Sequence, residues 1–201
     1  MNTSLDDVVM RAADHAGLSG ARESLVTGAM GRVLEVGAGT GLQFQHYASG
    51  ASVVAIEPHV RMAGAAAGRA RRARARVSVV AADAEMLPFP DESFDTVVCA
   101  LVFCTIPQPD VAAHEIRRVL RPGGVVHLLE HVRANHTALA LLQESLTPMW
   151  KRVAGGCHLA RRTVELFGDA GFAVRVRSAR LGGALVAFEA RRPAARTRGR
   201  R

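Results

Sequence analysis

The stretch Val33-Leu34-Glu35-Val36-Gly37-Ala38-Gly39-Thr40-Gly41 restricts the fold more than any other part of the chain. A short run of strand type containing one acid gives way to three glycines that alternate with small residues. A buried strand breaks there into a turn too tight for side chains, because glycine tolerates positive φ and lets another group come close to the backbone. The residues that follow, Leu42-Gln43-Phe44-Gln45-His46-Tyr47, can open a helix whose first amides face that group. The plainer alternative is an ordinary glycine turn in an α/β protein.

Spacing separates the candidate ligands. A dinucleotide loop reads G-x-G-x-x-G. Gly37 and Gly39 fit it, but Leu42 takes the third position and the last glycine arrives one residue early, at Gly41. The result, E-x-G-x-G-x-G headed by Glu35, resembles motif I of the class I S-adenosylmethionine (SAM) methyltransferases. That resemblance implies a ligand built from an amino acid and an adenosine without a pyrophosphate, so that Glu35 can meet the methionine ammonium.

A chain of 201 residues suits one domain with a sizeable core. Only 4% of it is aromatic, so Val, Ala and Leu must supply most of that core. The longest apolar run, residues 97–107, falls short of the ~18 residues of a membrane span and reads as a buried strand with its following loop. The first residues carry no basic-then-apolar leader pattern. Cys99, Cys104 and Cys157 are odd in number and lack metal-ligand spacing, so no metal is expected and a reducing cytoplasm is the simplest location.

The formal charge of +8 comes mostly from residues 191–201, which hold six arginines and no acid. A second group, Arg69, Arg71, Arg72, Arg74 and Arg76, reads as a solvated helix face. No aromatic residues interleave with either group, so stacking on bases is unsupported and no specific nucleic acid partner is expected. Weak attraction to anionic polymers or a membrane surface remains.

Periodicity predicts strands at 32–36, 52–56, 77–81, 96–101, 125–130, 172–177 and 184–189. It predicts one or two helices within 4–28, a first crossover helix over 42–48, and helices at 60–75, after Pro109, and at 163–170. An amphipathic segment at 137–152 is interrupted by Pro148, and Arg121-Pro122-Gly123-Gly124 stops the helix before the fifth strand. Alternating strands and helices demand a mostly parallel sheet with right-handed crossovers. The last two strands are joined too tightly for a crossover and must pair antiparallel. The expected fold is therefore α/β: a Rossmann-like, seven-stranded, mostly parallel sheet with a C-terminal antiparallel hairpin and helices on both faces. Residues 1–190 are read as one domain, with 1–30 as a helical cap, 137–161 as a substrate cover and 191–201 as a disordered basic tail.

Ligands of open parallel sheets bind outside the carboxyl ends of the strands, where Glu35, Glu57, Asp83 and Glu130 fall. Glu57 can accept both hydroxyls of a ribose, or stand as a solvated acid. Asp83 can accept an adenine amino hydrogen beside Ala84, with Met86 or Leu87 bordering the ring, or cap the turn at 84–87.

The resemblance to the class I methyltransferases extends over residues 33–130. It includes Asp83-Ala84-Glu85-Met86-Leu87-Pro88-Phe89, Ser93-Phe94-Asp95-Thr96-Val97-Val98 and Glu115-Ile116-Arg117-Arg118-Val119-Leu120-Arg121-Pro122-Gly123-Gly124, which is typical of the small-molecule branch containing the quinone C-methyltransferases. It implies SAM as cofactor, S-adenosylhomocysteine as product, and cofactor contacts from Glu35, Gly37, Ala38, Gly39, Thr40, Gly41, Glu57, Pro58, Asp83, Ala84 and Glu85. Leu101 and Val102, in the loop 101–105, would pass beside the sulfonium.

A narrower similarity, to the methyltransferase-like-7 group of thiol S-methyltransferases and its bacterial relatives, lies in 99–104, 129–132, Pro148-Met149-Trp150-Lys151-Arg152, Gly155-Gly156-Cys157-His158-Leu159-Ala160-Arg161 and 41–47. It implies a small thiol acceptor, with C-, N- or O-methylation of a quinone or lipid as the alternative. A SAM-binding protein without catalysis is a further alternative. Set against that group, no membrane-anchoring N-terminal segment is expected here, and His158 stands where a second cysteine is usual.

A sulfonium methyl is already activated, so the protein must chiefly align the nucleophile and exclude water. A thiol, with a pKa of about 8.5, needs only a modest base. Candidate catalytic residues are His131, as general base, positioner or structural hydrogen-bond partner, and His158. His127, inside a strand, reads as packed or solvent-facing. Phe44, Cys104, Met149 and Trp150 are expected to line the acceptor site, with Cys104 in no covalent role because the chemistry requires no covalent intermediate. The apolar cover suits an apolar or amphipathic small molecule.

Overall fold

The computed structural model describes residues 18–153 and 155–194, so the helices expected before residue 18 lie outside the described residues, as does the chain beyond 194. Seven strands, β1 (Arg32–Val36), β2 (Ser52–Ile56), β3 (Arg76–Val80), β4 (Phe94–Ala100), β5 (Leu120–His131), β6 (Ala173–Arg180) and β7 (Leu185–Arg191), form one sheet. Their order is β3-β2-β1-β4-β5-β7-β6. The first five strands run parallel, and β7 lies antiparallel between β5 and β6. This is the sheet expected from the strand and turn pattern. Its switch point lies between β1 and β4, which places the glycine turn after β1 beside the loop after β4.

Both faces of the central strands are buried, and neighbouring residues divide between them. Leu34, Val97 and Leu128 join one cluster with Ile116 and Phe167, while Val33, Val98 and Leu129 join the other with Leu25, Phe44 and Ala66. Alternation with two apolar faces requires helices on both sides. Helices α3 (Pro109–Val119) and α5 (Thr163–Asp169) cover the first face, and α1 (Ser19–Val26) and α2 (Val60–Ala70) the second. The start and end of α3 follow from sequence: Pro109 and Asp110 open it, Arg117 and Arg118 close it, and Ala112, Ala113, Ile116 and Val119 form its buried stripe. The few aromatics are concentrated around Phe167, whose ring meets Phe103 at 4.9 Å, Phe172 at 5.3 Å and Phe188 at 5.9 Å.

Four local expectations are corrected. The helix expected over 42–48 is only a 3-10 turn, Leu42–His46, because Gln43 and Phe44 are drawn inward, and Gln43 Nε2 donates to the Arg22 carbonyl at 2.8 Å. The predicted stop at 121–124 lies inside β5 as a bulge; pairing with β4 jumps from Phe94↔Leu120 to Thr96↔Val125. Pro148 removes one backbone donor without ending α4 (Thr137–Val153), where the Thr147 hydroxyl donates to the Gln143 carbonyl at 2.7 Å. Arg191 and Arg192, assigned to the free tail, are held: Arg191 ends β7, and the Arg192 guanidinium donates to the Arg117 and Leu120 carbonyls and to Glu92. Among the described residues no helix is long and apolar enough to cross a membrane.

Candidate active site

The three glycines of the turn do different work. A Cβ on Gly37, at φ +68°, would stand 2.1 Å from Val102 Cγ2, and one on Gly41, at φ +86°, 2.6 Å from the Phe44 ring. Gly37 therefore lets the β1 and β4 loops touch, and Gly41 lets Phe44 fold beneath the turn. A Cβ on Gly39, at φ +56°, would meet nothing within 4 Å, so backbone is left open there. Ala38 N–H donates to the Ile56 carbonyl at 2.9 Å, which continues the β1–β2 pairing into the turn, and the carbonyl of buried Thr40 accepts from Arg69 at 2.6 Å.

Beneath the turn, burial pushes the Glu35 carboxyl up to about 8, against the opposing influence of the Tyr47 hydroxyl and the Arg22 charge. The Tyr47 hydroxyl lies close enough to be felt, yet neither it nor Glu35 Oε2 has a partner of good hydrogen-bond geometry. Glu35 thus keeps an unsatisfied acceptor beside the ligand-facing turn.

Glu57 is buried at the end of β2 and already engaged. Oε2 accepts Gly39 N–H at 2.9 Å; Oε1 accepts His59 N–H at 3.0 Å and faces His59 Nδ1 at 3.0 Å. A carboxylate offers about four lone-pair sites, so a two-hydroxyl grip requires the exposed His59 ring to swing away. Pro58 lies exposed beside it. Asp83 is exposed at the end of β3, and its Oδ1 caps Glu85 N–H at 2.9 Å, leaving Oδ2 free for a donor. Ala84 packs into the core below, and Met86 stands exposed at the rim. Glu85 is turned elsewhere: its two oxygens take the backbone and side-chain N–H groups of Gln108 at 2.7 and 3.1 Å. The loop after β3 is fixed by α3, where Glu115 accepts Leu87 N–H at 2.9 Å and Arg118 donates to the Leu87 and Phe89 carbonyls.

Across the switch point, Glu130 organises the loop after β4. Its buried Oε1 accepts the N–H groups of Val102 at 3.0 Å and Phe103 at 3.1 Å. Burial raises this carboxyl to about 7, with those two amides opposing the rise. The bonds hold Leu101 at φ +58°, a strained value for leucine, with its N–H on the Leu129 carbonyl at 2.7 Å. Phe103 anchors the loop in the core against Phe167.

The loop delivers Cys104 to a cluster that its sequence spacing conceals. Ligand atoms of Cys104, His131 and Cys157 all lie within 4.8 Å of one another. Both cysteines are buried and His131 is half-buried. Contact with Cys104 lowers the Cys157 thiol, with His131 adding to the effect, while the same contact pushes Cys104 up and Cys157 raises His131. The Trp150 side chain also reaches the Cys157 sulfur. Residues whose spacing in sequence gives no metal signal thus meet through the fold. Cys99 remains a core residue.

Hydrogen bonds to backbone carbonyls fasten this corner. His158 N–H donates to the Cys104 carbonyl at 2.8 Å, Arg161 Nη1 to the Phe103 carbonyl at 3.0 Å, and Arg133 N–H to the Arg161 carbonyl at 2.9 Å. Of the two candidate histidines only His131 enters the cluster; Cys157, the residue before His158, is the one that meets it. The Gly155-Gly156 pair, at φ +58° and +90°, was the available signal that the chain turns sharply to present residue 157. His127 is packed away from this corner, with Nδ1 3.6 Å from Glu189.

The cover differs from a closed lid. Helix α4 is attached through Ala140 and Gln143; Gln143 accepts Ala134 N–H at 2.8 Å and donates to the Val132 and Leu159 carbonyls at 3.0 and 2.9 Å. Leu141, Leu142, Leu146, Met149 and Trp150 are exposed. Of the expected acceptor-lining residues, Cys104 and Trp150 meet at the cluster, Met149 projects outward, and Phe44 is 1% exposed in the core beneath the glycine turn.

An open backbone at Gly39, an unsatisfied Glu35 oxygen below it, and acids at the ends of β2 and β3 fit an amino acid joined to an adenosine. The chain carries a methyltransferase domain: residues 34–128 match the family model of that description, and the fold is that of the class I SAM-dependent methyltransferases. Within that class it is similar to human thiol S-methyltransferase TMT1B, at 38% identity over 144 residues, covering 69% of this chain and 59% of the relative. It is also similar to phosphatidylethanolamine N-methyltransferase of Cereibacter sphaeroides, at 36% identity over 126 residues and 58% of each chain. The YcgJ protein of Bacillus subtilis has the same fold, with a TM-score of 0.68 and 18% identity over 90% of this chain and all of that one. The chain thus spans a little under two thirds of the length of these curated relatives.

Proposed function

We propose that the protein methylates the sulfur of a small, apolar or amphipathic thiol with SAM as donor. SAM would supply a methyl group already activated on a sulfonium. Gly37, Ala38, Gly39, Thr40 and Gly41 form the turn that receives its amino-acid end, and Glu35 supports that turn from below. Glu57, flanked by Pro58, takes the ribose hydroxyls, Asp83 the adenine amino group, and Leu101 with Val102 the reacting centre.

The observation that carries the thiol reading is the chemistry at the acceptor corner. Glu130 is fully buried, with Oε1 holding the loop, so the groups facing the acceptor are sulfur and imidazole: Cys104, His131 and Cys157. A thiol needs no carboxylate base, whereas an unactivated amine, phenol or carbon acceptor needs stronger assistance. Similarity to a thiol S-methyltransferase agrees with this reading. His131 meets the acceptor sulfur, and His158 positions the Cys104 loop through its backbone N–H. Trp150 borders the acceptor's apolar part. The same reading takes residues 1–192 as one functional domain, in a reducing cytoplasm where the free cysteines stay reduced.

A second reading, methylation of a lipid or quinone headgroup, is favoured by the exposed leucines of α4 and by the phosphatidylethanolamine N-methyltransferase relative. Incubation with methyl-labelled SAM and a panel of alkanethiols, primary amines, phenols and phosphatidylethanolamine vesicles separates them. The thiol reading predicts labelled thioethers as the main products. Label in the lipid or phenol fraction with none on any thiol overturns it.

A further inference from the structure

The corner formed by Cys104, His131 and Cys157 has a composition that methyl transfer from a sulfonium does not by itself demand. The three residues come from separate segments: the loop after β4, the end of β5 and the turn after α4. The His158 N–H on the Cys104 carbonyl at 2.8 Å, the Arg161 guanidinium on the Phe103 carbonyl at 3.0 Å and the Arg133 N–H on the Arg161 carbonyl at 2.9 Å tie those segments together, so the convergence is built into the fold.

We propose that Cys104 Sγ, Cys157 Sγ and an imidazole nitrogen of His131 bind a zinc ion whose fourth position receives the acceptor thiol. This deepens, and rests on, the proposed thiol methylation. Zinc favours thiolate and imidazole ligands in tetrahedral array, and its catalytic sites keep three protein ligands and one open position. Among the described residues no fourth histidine, cysteine or acid joins the group. Metal–sulfur bonds of about 2.3 Å and metal–nitrogen bonds of about 2.0 Å would set the ligand atoms roughly 3.5 Å apart, a contraction of about 1.3 Å at most from the 4.8 Å within which they lie. Two thiolates and a neutral imidazole balance the double charge of the ion. An outer donor is present as well, since the Trp150 side chain reaches the Cys157 sulfur. A disulfide between the two cysteines would leave the convergence of His131 unexplained.

The chemical consequence is direct. A thiol entering the fourth position releases its proton to water and binds as thiolate. A sulfur lone pair then forms the new bond to the methyl carbon, and the bond from that carbon to the donor sulfonium breaks with its electron pair going to the donor sulfur. The products are a thioether, S-adenosylhomocysteine and the proton already released, and no oxidant or reductant takes part. A neutral thioether is a weak zinc ligand, so the position reopens after transfer.

The test uses the full reduced chain and cobalt(II) as a spectroscopic substitute for zinc. The proposal predicts one cobalt per chain, thiolate-to-cobalt charge-transfer absorption, displacement by zinc, and a spectral change when an alkanethiol is added. Cys104→Ser, Cys157→Ser and His131→Ala should each weaken metal binding at least tenfold, while S-adenosylhomocysteine affinity in the same variants, measured calorimetrically, stays within threefold and reports an intact fold. Absent cobalt uptake, or uptake unchanged in all three variants, overturns the site. Cobalt binding with no spectral response to any thiol overturns the open position. These readouts are independent of turnover: failure of thiol methylation in a chain that binds cobalt through these residues counts against the proposed acceptor and leaves the metal site standing.

Discussion

Glu57 shows how a single side chain can be legible in sequence and still hold a surprise. Its place after β2 marks it for a ribose, but in the structure its carboxylate is occupied by Gly39, the His59 backbone and the His59 ring. The ring therefore occupies a position that a ribose hydroxyl needs. Glu57→Ala should weaken S-adenosylhomocysteine binding at least tenfold, since losing charged hydrogen bonds costs about 1.5–3 kcal/mol. His59→Ala should not weaken it, because the ring must leave in any case. Calorimetric titration of both variants checks the pair; weaker binding in His59→Ala would make the imidazole a ligand contact. Glu35 gives a pH prediction. Its folded carboxyl holds a proton to about 8, against about 4.5 when unfolded, so the unfolded chain ionises first. The contribution to stability is full below about 4.5 and is lost as pH rises through about 8. Thermal melts of the ligand-free protein should show this decline, and Glu35→Gln should flatten it; an unchanged slope would assign the decline to other groups.

At the scale of elements, strand positions were readable because period-2 apolar runs between glycine and proline boundaries leave few alternatives. The terminal hairpin was readable because Gly182-Gly183 cannot cross a sheet. What escaped was tertiary. The helix after Gly41 shrank to a turn because Gln43 and Phe44 are drawn inward, and RPGG joined β5 because a bulge accommodates it. The acceptor corner was half legible: His131 was marked by following Glu130, while Cys157 was passed over for its neighbour because nothing local says which of two adjacent side chains turns inward. Helix α4 depends heavily on Gln143, whose three hydrogen bonds tie it to residues 132–134 and 159. Gln143→Leu leaves those buried partners unsatisfied, at about 1–3 kcal/mol each. Amide exchange across 137–161 should accelerate while the strands stay protected and S-adenosylhomocysteine still binds. Equal protection of the segment would show that other contacts hold it.

For the whole molecule, the sheet divides the work between its two halves. Strands β1, β2 and β3 carry the turn and acids suited to the donor, and β4 and β5, with the turn after α4, carry the loop and the sulfur–imidazole corner suited to the acceptor. Beyond the β1–β4 pairing, the loops of the two halves touch where Gly37 meets Val102, whose Cγ2 would stand 2.1 Å from a Cβ added at Gly37. Donor binding and acceptor choice are therefore separable properties of the fold, and the glycine motif that announces the first carries no information about the second. The central claim is that this edge transfers a methyl group from SAM to a thiol. A single-turnover reaction with carbon-13 methyl-labelled SAM and a short alkanethiol, followed by NMR, tests it most directly. The account predicts S-methyl product and S-adenosylhomocysteine in equal amounts, with both slowed in Glu57→Ala at limiting SAM. SAM that binds and stays intact with every thiol, while an amine or phenol acquires the label, would contradict it.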